Sequence, residues 1–414
     1  MNEFTIVFLA VIIASFVIQL LLGTRHIQHV RKHRSAVPDN FSDKISLEAH
    51  QKAADYTEAK VKFGFCELIT STVILLLWSI GGVLQILDNL WRSLDMPELW
   101  TGTIVILSFF AISALLDLPL SWFRTFRLEQ RFGFNKSTLK IFFTDIFKNA
   151  VLALLIGAPL IILVLWLMNN SGSLWWLYVW LTWLIFSLVM MWAYPAFIAP
   201  LFNKFRPLQD QHLKQRIENL LGRNGFTSNG IFVMDGSTRS THGNAYFTGL
   251  GANKRIVFFD TLIDELSHDE IEAVLAHELG HFKCNHIKKR IITLGFVFFI
   301  GCALLGWLIN MPWFYEGLGI SEPSKYIALL LFLIISPVFT FFLQPVFSYI
   351  SRQHEYEADD FAASQAQTHN LIQALVKLYK ENANTLTPDP VYSAFHDSHP
   401  PAPIRIAHLS AKMA

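Results

Sequence analysis

Charged residues are scarce in this sequence. Asp, Glu, Lys and Arg make up 16% of its 414 residues, whereas 53% of the residues are hydrophobic. Soluble domains carry about 25% charged residues, so the composition excludes an ordinary soluble protein and predicts one that crosses the membrane several times. The formal net charge is only +1, and no stripe of basic residues is present. A nucleic-acid partner is therefore not indicated.

Cysteine is also rare. The three cysteines, Cys66, Cys284 and Cys302, lie far apart and form no Cys-x-x-Cys pair, so neither a disulfide framework nor a thiolate zinc site is predicted. Cys284 shares a helical face with His277 but lies about 10 Å from it along the axis. We therefore interpret Cys284 as a packed thiol and not as a ligand of a metal at His277.

Seven apolar runs are long enough to cross a bilayer of about 30 Å. They lie near residues 4–22, 66–90, 102–122, 149–168, 174–200, 291–311 and 326–350. The first run follows the acidic Glu3 and has no small-residue cleavage pattern before Thr24. It is expected to stay in place as a membrane anchor.

Basic residues are concentrated in alternate connections between these runs. The segments after the first and the third run are rich in Lys and Arg, whereas 91–101, 169–173 and 312–325 carry at most one each. By the positive-inside rule, the N-terminus is expected outside and the C-terminus in the cytoplasm.

The two long polar stretches then fall on the cytoplasmic side, where they are expected to form one interrupted domain. The sequence predicts a helix at 210–221 and strands at 231–234, 246–248 and 255–259. The fold class is thus an all-α polytopic membrane protein of seven transmembrane helices with a cytoplasmic α+β domain. The predicted parts are five helices with basic cytoplasmic loops (1–200), the first part of the cytoplasmic domain (201–290), a transmembrane hairpin of helices six and seven (291–350) and the second part of the cytoplasmic domain (351–414).

A His-Glu-x-x-His pattern occupies residues 277–281. On a helix, His277 and His281 are about 40° apart around the axis, so both imidazoles face one side and can bind one zinc ion. Glu278 lies one step round, close enough to take a proton from a metal-bound water. Ser267 and Glu270 form a capping-box pattern that predicts where this helix begins.

A third ligand is expected just after the seventh run. If that segment is helical, Glu355 and Asp359 share one face and Glu357 points to the other side. We assign Glu355 as the ligand and Asp359 as the carboxylate that orients a ligand histidine. His354 and Glu357 remain alternative ligands, and a solvated acidic helix end remains the non-functional alternative. Three protein ligands to one Zn²⁺ per chain leave a position open for water, as in a hydrolase. The cytoplasmic α+β domain is therefore predicted to be a zinc-peptidase domain of the His-Glu-x-x-His plus Glu type, with 201–290 and 351–414 as the two parts of the catalytic domain.

The whole chain resembles the type I CAAX prenyl endopeptidases, integral-membrane zinc peptidases that also process the yeast a-factor pheromone. The resemblance rests on the seven runs and on several motifs, which are His-Glu-Leu-Gly-His at 277–281, Arg352-x-x-Glu355-Tyr-x-Ala-Asp359, His242-Gly-Asn244-Ala-Tyr-Phe, Lys254-Arg-Ile-Val-Phe-Phe-Asp260, and Ser398-His399-Pro-Pro with Arg405. It implies a large chamber enclosed by the seven helices, with the zinc site facing it.

The resemblance also implies roles for three residues. Asn244 is expected to bind the backbone of a substrate, His399 to donate a hydrogen bond to the oxyanion, and Arg405 to support the site. A turn residue at Asn244 and a cap at His399 before the prolines are the structural alternatives. His286, nine residues after His277, is expected to point away from the site.

The predicted function is a zinc-dependent endopeptidase that cuts near the C-terminus of membrane-associated, CAAX-type peptides or proteins in the lipid bilayer, with a need for prenylation left open. The alternatives are a quality-control zinc protease for membrane proteins and a transporter with a structural zinc domain. The C-terminus carries no retrieval signal of the endoplasmic-reticulum kind. A bacterial inner membrane is therefore the expected location.

Overall fold

The computed structural model describes residues 2–248 and 253–412. Up to residue 204 the long elements are all helices. They are α1 (Glu3–His33), α2 (Leu47–Trp78), α3 (Val83–Arg92), α4 (Glu98–Phe132), α5 (Leu139–Asn170) and α6 (Gly172–Phe202).

The remainder mixes short strands with helices. Its elements are β1 (Phe205–Pro207), α7 (Gln211–Arg223), β2 (Thr227–Met234), β3 (Ala245–Thr248), β4 (Asn253–Phe259), α8 (Asp260–Glu265), α9 (His268–Lys283), α10 (His286–Leu308), α11 (Pro312–Glu316), α12 (Lys325–Gln365), α13 (Thr368–Glu381), α14 (Pro390–His396) and α15 (Ala402–Ala411). The predicted helix and three strands of the first polar stretch are confirmed, with bounds shifted by a few residues.

Seven of these helices are long and apolar enough to cross a membrane, which confirms the predicted number. They are α1, α2, α4, α5, α6, α10 and α12. Side-chain caps fix several of their starts: the side chains of Asn2, Ser46, Thr138 and Ser324 accept hydrogen bonds from backbone N–H groups in the first turn of the helix that follows.

The prediction for the second span was wrong in its bounds. The helix begins at Leu47, ends at Trp78 and does not continue to residue 90. Gly82 adopts a left-handed backbone (φ 75°), and a separate helix, α3, follows it. Inside α3 the buried carboxylate of Asp88 accepts hydrogen bonds from Tyr326 Oη and Arg92 Nε, each at 2.7 Å. This polar anchor explains why the apolar run is divided.

The helices pack tightly at the end of the bundle that lies away from the strands, here called the distal end. A single apolar cluster there joins all seven spans to α3 and α11, and includes Phe8, Trp78, Leu84, Ile106, Met168, Val179, Leu305, Phe314 and Ile327. At the opposite end α1 is held to the C-terminal segment, where Arg25 Nε pairs with Asp389 Oδ2 at 2.9 Å and His26 stacks on Tyr392.

Between these two ends the spans stand apart. No described residue is buried in the middle of six spans, over residues 16–21, 64–77, 110–127, 139–164, 180–198 and 336–347. In the middle of α10, Gly295 alone is buried, with its carbonyl accepting a hydrogen bond from Trp180 Nε1 at 2.9 Å. The spans are therefore packed loosely at this level, although α6 still contacts α10 there, where Trp183 stacks on Phe298 with ring centroids 4.4 Å apart.

The four strands form one small sheet in the order β1-β2-β4-β3. β2 and β4 are parallel, the other two pairs are antiparallel, and β3 lies at an edge. One apolar core joins this sheet to α7, α9, α13 and α15, and it draws residues from both polar stretches, for example Leu213, Phe258, Ala276 and Leu371. The helix that carries the His-Glu-x-x-His pattern is therefore built into a rigid layer.

Candidate metal centre

The start of α9 is fixed by reciprocal hydrogen bonds. Ser267 Oγ accepts from the backbone N–H of Glu270, and Glu270 Oε2 accepts from the backbone N–H of Ser267 at 2.7 Å. The predicted capping box is therefore confirmed. Glu270 Oε2 also pairs with Lys377 of α13 at 2.7 Å, so the beginning of the motif helix is tied to the second polar stretch.

A glycine inside the motif lets α9 approach α12 closely. A Cβ atom added to Gly280 would lie 2.9 Å from Cα and 3.1 Å from the carbonyl oxygen of Ala358. Contacts under 3.0 Å with backbone require the structure to shift. The two backbones can touch only because residue 280 has no side chain. This contact places Glu355, one turn before Ala358, opposite both histidines of α9.

Three side chains converge at this crossing. His277 Nε2 lies 3.3 Å from His281 Nε2 and 3.4 Å from Glu355 Oε2, and His281 Nε2 lies 3.4 Å from Glu355 Oε1. Ligand atoms about 2.0–2.2 Å from one ion at tetrahedral angles are roughly 3.3–3.6 Å apart. Glu355 Oε2 is buried and has no hydrogen-bond partner among the described residues. Such an orphaned oxygen fits a metal ion, because a buried carboxylate without a partner is costly.

The two alternative ligands lie elsewhere. His354 stacks on the ring of His286, with centroids 4.1 Å apart, and Glu357 Oε2 lies 2.9 Å from His286 Nε2. Neither joins the group formed by His277, His281 and Glu355. The helical face that carries Glu355 is the one that faces the histidines.

A buried ion-pair network supports His277. Asp359 is fully buried and its Oδ1 accepts from His277 Nδ1 at 2.9 Å. Arg405 of α15 donates to both oxygens of Asp359, at 2.8 and 2.5 Å, and its Nη1 lies 3.5 Å from Glu355 Oε2. With Nδ1–H committed to Asp359, the Nε2 lone pair of His277 points to the centre of the site.

Burial and these partners set the proton affinities of the histidines and of Glu278. Burial and Arg405 oppose protonation of His277, but hydrogen bonds to Asp359 and Glu355 outweigh them and raise its pKa to about 9. Burial and the neighbouring His277 lower the pKa of His281 to about 4. Burial raises the pKa of Glu278, although His277 acts against it. A carboxylate with a raised pKa suits a group that must take up and release a proton.

His399 lies at the rim of the site, and Asn244 lies just before β3, the strand that packs beside α9. His399 Nε2 is 3.3 Å from Glu355 Oε1, its side chain is 66% exposed, and its Nδ1 contacts Ser398 Oγ at 3.0 Å. Asn244 is exposed and directly precedes the edge strand β3. Its Oδ1 accepts from the backbone N–H of Ala245 at 2.8 Å, which leaves its amide N–H groups for a ligand.

The expectation for His286 is met in one respect, because it does not belong to the group formed by His277, His281 and Glu355. It nevertheless lies close by, with its Nδ1 3.0 Å from His281 Nδ1, so the ring packs against a candidate ligand. The expectation assumed that α9 continues, but Asn285 adopts a left-handed backbone (φ 58°) and begins a new helix that turns His286 back. Asparagine tolerates this conformation, so Asn285 was the signal in the sequence that could have found the turn.

A cavity of about 600 Å³ opens beside His399. Its walls come from α1, α2 and the segment that follows α13, and they include Gln19, His26, Lys60, Phe65, Tyr379, Tyr392, Asp397, Ser398 and His399. This is large enough for a short peptide.

Two family models together match nearly the whole chain. Residues 26–204 match the N-terminal region of CAAX prenyl proteases, described as five membrane helices. Residues 207–413 match peptidase family M48. These comparisons do not favour a quality-control protease or a transporter.

Individual proteins are similar over almost their full length. CAAX prenyl protease 1 of Saccharomyces cerevisiae is 35% identical, with 96% of this chain and 93% of that protein covered. The human CAAX prenyl protease 1 homolog is 31% identical, with 97% and 95% covered. The crystal structure of S. mikatae Ste24p matches with a TM-score of 0.92 and 34% identity, covering 99% of each chain.

The contact at Gly280 generates a prediction. Gly280→Ala should force α9 and α12 apart, lower thermal stability by about 1–3 kcal/mol through overpacking, and weaken metal binding because Glu355 moves away from the histidines. Thermal denaturation and metal content after dialysis measure the two effects. Gly301→Ala is the control, since its Cβ would meet only the Phe332 ring, at 3.7 Å. Equal metal retention in the two variants would contradict the role of this contact.

Proposed function

The chain belongs to peptidase family M48, in its group of CAAX prenyl proteases, and from this we propose that it is a zinc endopeptidase that cleaves CAAX-type substrates near their C-terminus. That the protein is a multi-pass membrane metallopeptidase acting on peptides or proteins follows from the family. The single observation that carries the proposal is the set of three ligand-atom separations of 3.3–3.4 Å at the crossing of α9 and α12.

Zinc is the metal that suits this donor set. The two imidazole nitrogens are 3.3 Å apart, and each lies 3.4 Å from one oxygen of the Glu355 carboxylate. Two imidazoles and one carboxylate are the protein ligands of many catalytic zinc sites. We assign His277, His281 and Glu355 as the ligands of one Zn²⁺. When bound, zinc acidifies water and polarises a carbonyl group.

Glu278 is the proposed general base. Its carboxylate takes a proton from the attacking water and later delivers it to the nitrogen of the leaving amine. Burial raises its pKa, which favours the uptake of the proton. His399, exposed 3.3 Å from Glu355 Oε1, is placed to donate a hydrogen bond from Nε2 to the oxyanion. Asp359 and Arg405 act through His277 by fixing the tautomer that leaves Nε2 free.

The edge strand β3 is the proposed docking strand for the substrate. A peptide in extended conformation can add to an exposed sheet edge through main-chain hydrogen bonds. β3 packs beside α9, and Asn244 stands at its start with free amide donors. A substrate aligned along β3 would thus be held by Asn244 at one end of the strand.

Specificity for a C-terminus is supported by Lys60 in the wall of the cavity. Its ammonium lies 4.1 Å from the centre of the Tyr56 ring and forms no ion pair with a carboxylate among the described residues, although Glu129, which accepts a hydrogen bond from Tyr56 Oη, attracts it from further away. Lys62, two residues on, is instead paired with Glu58 at 2.6 Å. A cation in a recess that lacks a close ion-pair partner attracts an anion. The free carboxylate at the end of every CAAX sequence is such an anion, so we propose that the residues beyond the scissile bond occupy this cavity.

For topology, we propose an N-terminus outside and a catalytic part in the cytoplasm, with 201–290 and 351–414 acting as one unit. The alternation of basic connections and the apolar core shared by the two stretches support this. The bacterial inner membrane stays a prediction from the sequence, and the relatives named above, which come from yeast and human, give it no support.

Removal of the general base tests the reaction. Glu278→Gln should lower kcat for a farnesylated CAAX peptide by about 10²–10⁴-fold and leave one zinc per chain, because residue 278 is not a ligand. Mass spectrometry of the products and metal analysis measure this. Glu272→Gln, on the same helix and paired with Arg216 and Arg223, is the matched control. Wild-type turnover by Glu278→Gln would refute the mechanism.

Peptides that differ only in the charge of their C-terminus test the proposed role of Lys60. The wild type should cleave a peptide with a free C-terminal carboxylate at least several-fold faster, in kcat/KM, than its C-terminal amide, because only the acid pairs with the ammonium. Lys60→Met should abolish this preference, and Lys62→Met should keep it. An unchanged acid-to-amide ratio in Lys60→Met would rule the assignment out.

Fluorescent-protein fusions test the topology. A fusion at the C-terminus should fluoresce in bacterial cells because it folds in the cytoplasm, whereas the same reporter on an exported N-terminus should not. The reverse pattern would overturn the orientation.

A further inference from the structure

His281 is the first member of a row of polar side chains that begins at its outer nitrogen. His281 Nδ1 lies 3.0 Å from His286 Nδ1, and His286 Nε2 lies 2.9 Å from Glu357 Oε2. His354 stacks on the His286 ring at 4.1 Å, and Lys289 Nζ lies 3.3 Å from the same oxygen of Glu357. His286 is buried, with 4% of its surface exposed. The contacts form one continuous row from Glu357 to the metal centre.

The row has one consistent arrangement of protons. If His281 binds metal through Nε2, its Nδ1 carries a proton and must donate it to an acceptor. The atom within reach is His286 Nδ1, which accepts only if the proton of that ring is on Nε2. The carboxylate of Glu357 stabilises that tautomer because it accepts from Nε2–H. Glu357 thereby selects the tautomer of His286, and His286 selects that of His281.

We propose that His286 and Glu357 are positioning residues that hold His281 in its metal-binding tautomer and orientation. The two histidine ligands are then supported differently. His277 is held directly by the buried pair of Asp359 and Arg405, whereas His281 is held through a second imidazole by a half-exposed carboxylate. The proposal rests on the proposed function only in taking His281 as a metal ligand.

The same residues could instead be a second metal site. Cys284, His286 and Glu357 each offer a ligand atom within 4.8 Å of the others. A metal on His286 Nε2 would, however, remove the proton that Glu357 accepts and place a proton on Nδ1, where it would face the N–H of His281. Lys289 also sets a positive charge beside Glu357. The observed contacts therefore favour the hydrogen-bonded row.

Substitutions at His286 separate hydrogen bonding from shape. His286→Gln can accept from His281 and donate to Glu357, but it loses the aromatic ring. His286→Phe keeps the ring and the stacking on His354, but it makes neither hydrogen bond. If the row positions His281, His286→Phe should release its metal to a chelator about 10–100-fold faster than the wild type. The rate of metal release from His286→Gln should be closer to that of the wild type than the rate from His286→Phe is. The opposite order would show a merely structural role and overturn the proposal.

Substitution of two carboxylates on α12, one in the row and one outside it, tests the role of Glu357. Glu357→Ala should also speed metal release, whereas Asp360→Ala, which removes a carboxylate paired with His408 and Lys412, should not. The visible spectrum of the cobalt-substituted protein reports changes in ligand geometry without any measurement of cleavage. Equal release rates for the two variants would overturn the role of Glu357.

Metal stoichiometry separates the remaining outcomes. One metal per chain is expected in the wild type and in Cys284→Ala. A second metal that Cys284→Ala removes would overturn the proposal in favour of the second metal site. A folded wild-type protein that binds no metal would overturn the proposed function as well, whereas normal metal binding with no effect of His286→Phe would overturn this inference alone.

Discussion

The contact between the backbones of α9 and α12 is the constraint on which the site depends. The proposed metal ligands are His277, His281 and Glu355, which are far apart in sequence, and they meet only because no side chain separates Gly280 from Ala358. Side chains hold this crossing from several sides: Ser267 and Lys377 fix the start of α9, and Arg405 links α15 to α12. The helix α12 is at the same time the seventh span, so the site is attached to the membrane part without any flexible connection.

The charges buried at the crossing explain why a cation belongs there. Glu355 and Asp359 carry two negative charges, and Arg405 supplies one positive charge. With His277 and His281 neutral, as metal binding requires, these three groups are left with a net charge of −1 in a place that water scarcely reaches, which is costly unless a further cation is bound. A divalent ion at the three ligand residues reverses the sign of that charge and contacts Glu355, whose Oε2 has no hydrogen-bond partner among the described residues.

Local patterns made much of this structure predictable. The spacing of His277 and His281, the capping box at Ser267, and the shared face of Glu355 and Asp359 depend only on helical geometry, and the structure shows each of these arrangements. The number of spans follows from hydropathy alone.

The prediction failed where one residue changes the direction of the chain. Gly82 ended the second span early, and the left-handed Asn285 turned His286 towards the site. The crossing at Gly280 also lay beyond prediction, because a glycine in a helix does not reveal which backbone it will touch.

The loose packing halfway along the spans affects how easily the helices can separate. The helices pack closely at the distal end and beside the sheet, and they pack loosely between these two levels. Fewer side chains are buried between the helices at this height, so separating two neighbouring helices there costs less free energy than at either end. Close packing at the candidate metal site and loose packing of the wall therefore occur at different heights of the same seven helices.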